Sequence, residues 1–265
     1  MPELAEVEYY RKQWLPAIGQ SVTGVQLNAG KRIFRSVDTM ALQRDLRKQP
    51  FVDAATHGKQ MCFRFGECHW LGVHLGMTGK TRILPSGAKA DKHDHLVLRM
   101  SGGCSLAFSD PRMFGRILYS RKDKEPSWWA LLPPEILSDG FTEDRVNEFL
   151  SRRRRSPIKA VLLMQETFPG IGNWMADEIL WRTRIRPAKP AGEIGAKKRR
   201  TLYHCIREVS EDALRVIGTD WSFPPDDWLF NHRWKDGGRC PKTGVPLKRE
   251  QIGGRTTCWS PKWQR

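Results

Sequence analysis

Residues 96–108, LVLRMSGGCSLAF, set the character of the first half of the chain. Leu96, Leu98 and Met100 alternate with Val97 and Arg99, a period of two that belongs to a strand with one face in a core. Gly102-Gly103 then supplies a hairpin turn into a second strand. Upstream, Met61, Phe63 and Phe65 alternate with Cys62 and Arg64 in the same way. The pattern holds from about residue 20 to residue 122, which predicts an N-terminal β-sandwich or flattened barrel. One helix precedes it: Leu4, Val7, Tyr10 and Trp14 fall at helical spacing, and Pro2 suits a first helical turn.

The period changes after residue 122. Residues 123–140, DKEPSWWALLPPEILSDG, hold three prolines, break both periods and read as a linker. Thr142 is a candidate N-cap for a helix containing Val146, Phe149 and Leu150. Ser156-Pro157 starts another helix, and TFPGIGN (167–173) is a turn between helices. Leu202, Ile206, Val209, Ala213 and Val216 then share one stripe of a long helix expected to end at Gly218. Residues 221–265 return to short segments punctuated by Gly and Pro. The expected layout is a catalytic β domain (1–122), a linker (123–140), a helical domain (141–220) and a small hairpin module (221–265), an α+β multidomain chain.

Lys and Arg outnumber Asp and Glu by 45 to 29, a net charge of +16 over 265 residues. A field of that sign favours a polyanionic partner. No stretch approaches the roughly 18 apolar residues that span a bilayer, and the N-terminus lacks the layout of a signal peptide. The partner is therefore expected to be nucleic acid rather than a membrane. Six scattered cysteines do not form a disulfide framework, which places the chain in a reducing, cytoplasmic compartment, nucleoid-associated if bacterial.

Six constellations carry candidate chemistry. Pro2-Glu3 comes first: removal of Met1 exposes a secondary amine, and a helix N-terminus disfavours its protonation. Such an amine is a nucleophile near neutral pH, and Glu3 beside it is a candidate general acid. Many chains begin Met-Pro only because proline suits a helix start. Lys59, in HGKQ, is placed to meet a phosphate as a point charge, or to be a solvated lysine. HLGMTG (74–79) puts His74 and Met77 around a glycine turn, and a Met at a turn tip is a candidate wedge into stacked bases. SDPRMFG (109–115) presents Arg112 and Phe114 together, a cation and a ring suited to the gap left by an extruded nucleotide. In PGIGNWMADEILW (169–181) the glycines let backbone amides approach a phosphate, and Asn173 donates to the same oxygen. A plain helix-turn-helix connection explains those glycines equally well.

The sixth is the tail. CPKTGVPLKREQIGGRTTCWSPKWQR (240–265) has the rhythm of a two-stranded zinc ribbon without its ligands. Thr243 follows Cys240 at the spacing of a Cys-x-x-Cys pair, and the far pair reads Ser260 and Trp263; Cys258 is out of step. No metal is expected. The hairpin is instead held by packing, with Trp259 and Trp263 as candidates, and Arg255 at its turn is free to meet a phosphate. The basic runs Arg152–Arg155 and Lys197–Arg200 are either solvated faces or loose contacts to DNA.

In this order, PELAEVE, GK at 58–59, HLGMTG, DPRMFG, PGIGNWMADE and GGRTT resemble the formamidopyrimidine-DNA glycosylase and endonuclease VIII family over essentially the whole chain. The resemblance implies a β-sandwich followed by a helix-two-turns-helix domain with a β-hairpin finger, here zincless. It implies excision of an oxidised base from double-stranded damaged DNA, then strand cleavage at the abasic site by β/δ-elimination, with no cofactor and as a monomer. By the same resemblance Pro2 is the nucleophile at C1′ of the deoxyribose, passing through a Schiff base, and Glu3 the acid. Lys59, His74, Asn173 and Arg255 clamp phosphates, with Lys59 and Arg255 counted in the catalytic set. Met77, Arg112 and Phe114 fill the void. Two departures stand out: Ala5 replaces the usual second proline, and residues 218–234 are unlike the stretch associated with capping 8-oxoguanine. Formamidopyrimidines, oxidised pyrimidines and hydantoins are thus substrate options beside 8-oxoguanine. A non-catalytic binder of damaged or bent DNA is the alternative, and a zinc-ribbon RNA-binding protein accounts for none of the N-terminal motifs.

Overall fold

The structure is a computed structural model describing residues 1–265, which divide into two compact units. Residues Met1–Pro2 and Glu6–Leu132 form the first; Glu3–Ala5 and Pro133–Arg265 form the second. No helix is long and apolar enough to cross a membrane.

The first unit is built on two four-stranded antiparallel sheets. One has the order β1 (Val22–Leu27), β6 (Asp94–Met100), β7 (Ser105–Ser109), β5 (Lys80–Leu84). The other has the order β2 (Phe51–His57), β3 (Gln60–Phe65), β4 (His69–His74), β8 (Arg116–Arg121). The alternation in 96–108 is realised as read. Leu96, Leu98 and Met100 face the main core with Leu106 and Phe108, whereas Val97 and Ala107 pack with Leu84 in a small cluster on the other face. The turn between β6 and β7 closes through Gly103, whose φ of 87° suits glycine, and Met100 N donates to Cys104 O at 2.9 Å. Trp14, Phe51, Phe63 and Phe65 are fully buried, with Trp14 and Phe63 ring centres 4.4 Å apart. Each such side chain contributes about 1.5–3 kcal/mol by burial. Strand β3 is buried more completely than alternation predicts, because Cys62 is buried as well.

Helix α1 (Leu4–Lys12) begins two residues after Pro2. Pro2 thus lies ahead of the first turn rather than within it. Helix α2 (Thr39–Asp45) is N-capped by Asp38, which accepts from Met40 N and Ala41 N. Within 123–140 the chain forms one short helix, α3 (Ser127–Ala130), and Trp128 lies so close to β4 that a methyl group at Gly72 would come within 2.8 Å of its ring.

The second unit is helical. Thr142 caps α4 (Glu143–Arg152) by accepting from Arg145 N at 3.2 Å, and Val146, Phe149 and Leu150 are its buried stripe. Then follow α5 (Ile158–Leu162), α6 (Asn173–Arg182) and α7 (Ala196–Asp220), with a hairpin of β9 (Lys248–Ile252) and β10 (Arg255–Trp259). Helix α7 runs through Gly218 to Asp220 and is capped by Trp221, which adopts the left-handed conformation (φ 64°). Gly218 is buried in the helix, where a small residue serves packing rather than termination. Helix α6 is buried along nearly its whole length, Trp174 to Trp181.

Candidate DNA-processing site

In the first unit, Lys59 follows Gly58 (φ 58°) at the tight turn between β2 and β3. Its neighbour Gln60 pairs with His74 at the end of β4, so the turn brings Lys59 beside the imidazole. Burial, and then the charges of Lys59, Arg35 and Arg116, hold the His74 imidazole below its ordinary value. Its Nδ1 accepts from Gly76 N at 3.0 Å. The ring is therefore neutral at pH 7 with its proton on Nε2, a donor ready for an anion.

The turns 74–79 and 110–115 are locked together by Asp110, which is fully buried. Its carboxylate accepts from Thr78 Oγ1 at 2.8 Å, Gly115 N at 2.7 Å and Arg112 N at 3.3 Å. A methyl group at Gly76 would fall 2.4 Å from the Phe114 carbonyl carbon, so only glycine permits this approach. Met77 and Phe114 nevertheless remain 38% and 43% exposed, and the Arg112 guanidinium lies 4.9 Å from the Phe114 ring centre. Apolar side chains held outward on a rigid double turn have the form of a wedge.

In the second unit, Glu3 is buried with its carboxylate at the N-terminus of α6. Gly172 N donates to Oε2 at 2.9 Å, Trp174 N to Oε1 at 2.9 Å and Met175 N to Oε2 at 3.1 Å. The carboxylate thus satisfies amides that every helix start leaves without an intrahelical partner, and it lies where the macrodipole favours an anion. Leu4 N donates to Gly170 O at 3.0 Å. Glu3 and Leu4 are thereby joined to the PGIGN turn and the start of α6, Glu3 to amides 169 and 171 residues away.

Asn173 is the first residue of α6 and donates from Nδ2 to Thr256 O at 2.8 Å; its buried Oδ1 has no partner. Arg255 is exposed at the start of β10, just after Gly253 and Gly254 (φ 59° and 72°), the paired positive angles of a tight hairpin turn. A methyl group at Gly253 would come within 2.7 Å of Ala160 Cβ, which fixes the hairpin tip against α5.

Residues that pattern alone did not single out brace this arrangement. Lys159 Nζ, fully buried, donates to Asn173 O at 2.6 Å and to Asp177 Oδ1 at 2.5 Å. The other oxygen of Asp177 accepts from Arg233 Nη2 at 2.6 Å and from Cys258 N at 3.0 Å. One carboxylate thus ties α5, α6, residue 233 and the hairpin together. Burial pushes the Lys159 ammonium below its ordinary value against the pull of Asp177. Asp177 sits inside the apolar run NWMADEILW, and a carboxylate in such a run signals a buried partner; which cation would meet it is set by tertiary structure.

Residues 1–117 match the formamidopyrimidine-DNA glycosylase N-terminal domain, and residues 132–224 match the H2TH domain of the same enzymes. The chain belongs to the formamidopyrimidine-DNA glycosylase family. It is 32% identical to the formamidopyrimidine-DNA glycosylase of Alkalilimnicola ehrlichii and 36% identical to that of a Roseiflexus species, over the full length of both chains in each case. Among solved structures it is similar to Lactococcus lactis Fpg bound to DNA containing N7-benzyl-Fapy-dG (26% identity, TM-score 0.88). It is also similar to MutM bound to DNA containing carbocyclic 8-oxo-G (27%, 0.88), with full coverage of each chain in both. Asp177 and Lys159 are fully buried, so their hub braces the helix turn and the hairpin from within the unit.

Proposed function

We propose that this chain excises an oxidised base from duplex DNA in base excision repair and then cleaves the strand at the abasic site as a lyase. The observation that carries the proposal is the seating of Glu3 on the α6 amides, one residue along the chain from Pro2. That anchor fixes the backbone from which Pro2 projects.

The chemistry follows from a secondary amine. With Met1 attached the Pro2 nitrogen is an amide; its removal leaves an imino nucleophile. That nitrogen attacks C1′, the glycosidic bond breaks, and the base departs with the bonding pair and takes up a proton from water. Glu3, held as an acceptor on both oxygens, receives the proton that the amine releases and passes it to O4′ as the sugar ring opens. The iminium acidifies the hydrogen on C2′. Its loss expels the 3′-phosphate, a second elimination expels the 5′-phosphate, and water then frees Pro2. Lys59 and His74 on the first unit, and Asn173 and Arg255 on the second, take the phosphates. Met77, Arg112 and Phe114 fill the gap in the stack.

The hairpin belongs to the zincless subtype in this reading. The positions that a four-ligand zinc site requires hold Cys240, Thr243, Ser260 and Trp263, and hydroxyl and indole groups do not fit that role. Cys240 Sγ instead accepts from Trp181 Nε1 at 3.4 Å, Trp263 Nε1 donates to Trp181 O at 3.1 Å, and both join an apolar cluster with Leu229. The Cys258 thiol is pushed up to about 11 by burial, so it is a poor source of thiolate. We read residues 1–122 as the catalytic domain, 141–220 as the DNA-binding helical domain and 221–265 as the finger, acting as a cytoplasmic monomer without a cofactor.

A panel of duplex oligonucleotides carrying 8-oxoguanine, formamidopyrimidine, an oxidised pyrimidine or a hydantoin tests the proposal. Excision with phosphate at both ends of the gap is expected. Tight binding without excision on every lesion would leave only a non-catalytic binder.

A further inference from the structure

The basic runs Arg152–Arg155 and Lys197–Arg200 are more than 40 residues apart in sequence and meet on the second unit. Gly192 N donates to Arg154 O at 2.9 Å, and Ala191 N to Ser156 O at 3.0 Å. The Arg199 guanidinium reaches Ser151 Oγ at 3.0 Å and Ile194 O at 2.7 Å. The last turn of α4 and the first turn of α7 are thereby stapled side by side. Arg199 serves that staple, and Arg153 turns to Glu166 at 3.3 Å. Arg152, Arg154, Arg155, Lys197, Lys198 and Arg200 are left exposed on one patch. Two of these six lie near a carboxylate, Arg152 by Glu148 and Arg200 by Glu143. Both separations are 3.9 Å and both arginine side chains are more than 60% exposed, so the pairs are weak.

This placement opposes the stability of the helix. Helix α7 carries four successive cations at its start, no acid in its first turn, and Gly195 as an N-cap without a side-chain bond. A cation at the positive end of a helix is unfavourable, and like charges at i,i+3, such as Lys197 and Arg200, add repulsion. A solvated face mixes its signs. A local rule broken without internal compensation marks a functional surface.

We infer that this patch is a second duplex contact, holding the phosphate backbone of DNA outside the segment that carries the lesion. The inference rests on the DNA-processing reading of the chain. The patch offers charge and no pocket, so it reads the backbone and not the bases. It adds sequence-independent affinity and counterion release.

The test uses the full chain with Arg152→Gln, Arg155→Gln, Lys197→Gln and Lys198→Gln combined. Binding to two undamaged duplexes is measured across a salt series, one barely longer than a lesion site and one several helical turns longer. On the long duplex the slope of log Kd against log salt is expected to fall by up to about 0.9 for each cation that met a phosphate, or about 3–4 in all. On the short duplex the slope is expected to stay, as is the single-turnover excision rate at saturating enzyme. An unchanged slope on the long duplex, or an equal loss on both lengths, overturns the inference. The circular dichroism of the variant should match the parent, since removing cations from the α7 start relieves strain. A failure of the enzymatic reading would show separately, as absent excision with the salt slopes still differing between parent and variant.

Discussion

The ammonium of Lys159 donates to the backbone carbonyl of Asn173 at 2.6 Å, inside a site from which water is excluded. Through Asp177 the same lysine is linked to Cys258 N on β10. Asn173 and the strand that begins with Arg255 therefore share one buried anchor.

Lys159→Met keeps most of the side-chain volume and removes the charge. Asp177 would retain Arg233 but lose its closest cation, and breaking a buried pair costs on the order of 3 kcal/mol. A denaturant melt should show that loss. Steady-state kinetics on a damaged duplex should show KM rising more than kcat falls, because the affected groups bind phosphate. Unaltered kinetics alongside the lower stability would confine Lys159 to folding.

Gly172→Ala tests the seat of Glu3. The added methyl group would fall 2.3 Å from the Glu3 carboxyl carbon, so the carboxylate must leave the α6 amides. We expect excision and abasic-site cleavage to drop by at least about 100-fold, the scale of a lost acid–base group. Binding of an uncleavable abasic duplex should change little. A variant with near-parental turnover would show that the seat is dispensable.

The His74 imidazole is held below 6.5 by burial and by Lys59, Arg35 and Arg116. Its contribution to stability is whole above 6.5 and is lost as pH falls through the depressed folded value, because the unfolded chain takes the proton first. A bound phosphate reverses the local balance and favours the imidazolium. Melting temperature should therefore decline on acidification below 6.5 while DNA affinity, at fixed salt, improves. His74→Ala should flatten both trends, and parallel pH profiles for parent and variant would remove His74 from the phosphate set.

Phe114→Ala shortens the wedge without touching Asp110, which organises the turns. Excision of a lesion paired in a duplex should slow by about 10-fold or more, since unstacking costs a few kcal/mol. Cleavage of an abasic site in single-stranded DNA should keep its rate, because there is no stack to open. Equal losses on both substrates would mean that Phe114 acts elsewhere.

Much of this was legible in the residues. The period-two run at 96–108 carried the sandwich, and Thr142 and the stripe from Leu202 to Val216 carried two helices, because each is a local signal. Gly218 misled: a glycine near a helix end reads as a stop, but its packing inside α7 is a tertiary matter, and the left-handed residue is Trp221. Pro2 lies two residues ahead of α1 and not inside its first turn for a similar reason, since its neighbour Glu3 is drawn to α6. The hub of Lys159, Asp177 and Arg233 joins positions 18 and 56 residues apart. No spacing rule announces such a pairing. The cost of burying a lone charge only says that some partner must exist.

The most direct measurement is peptide mapping of the adduct trapped by borohydride on an abasic duplex. The N-terminal peptide should begin at Pro2, without Met1, and carry the mass of the reduced sugar on its imino nitrogen. An adduct found on a lysine, with the Pro2 peptide unmodified, would contradict the mechanism.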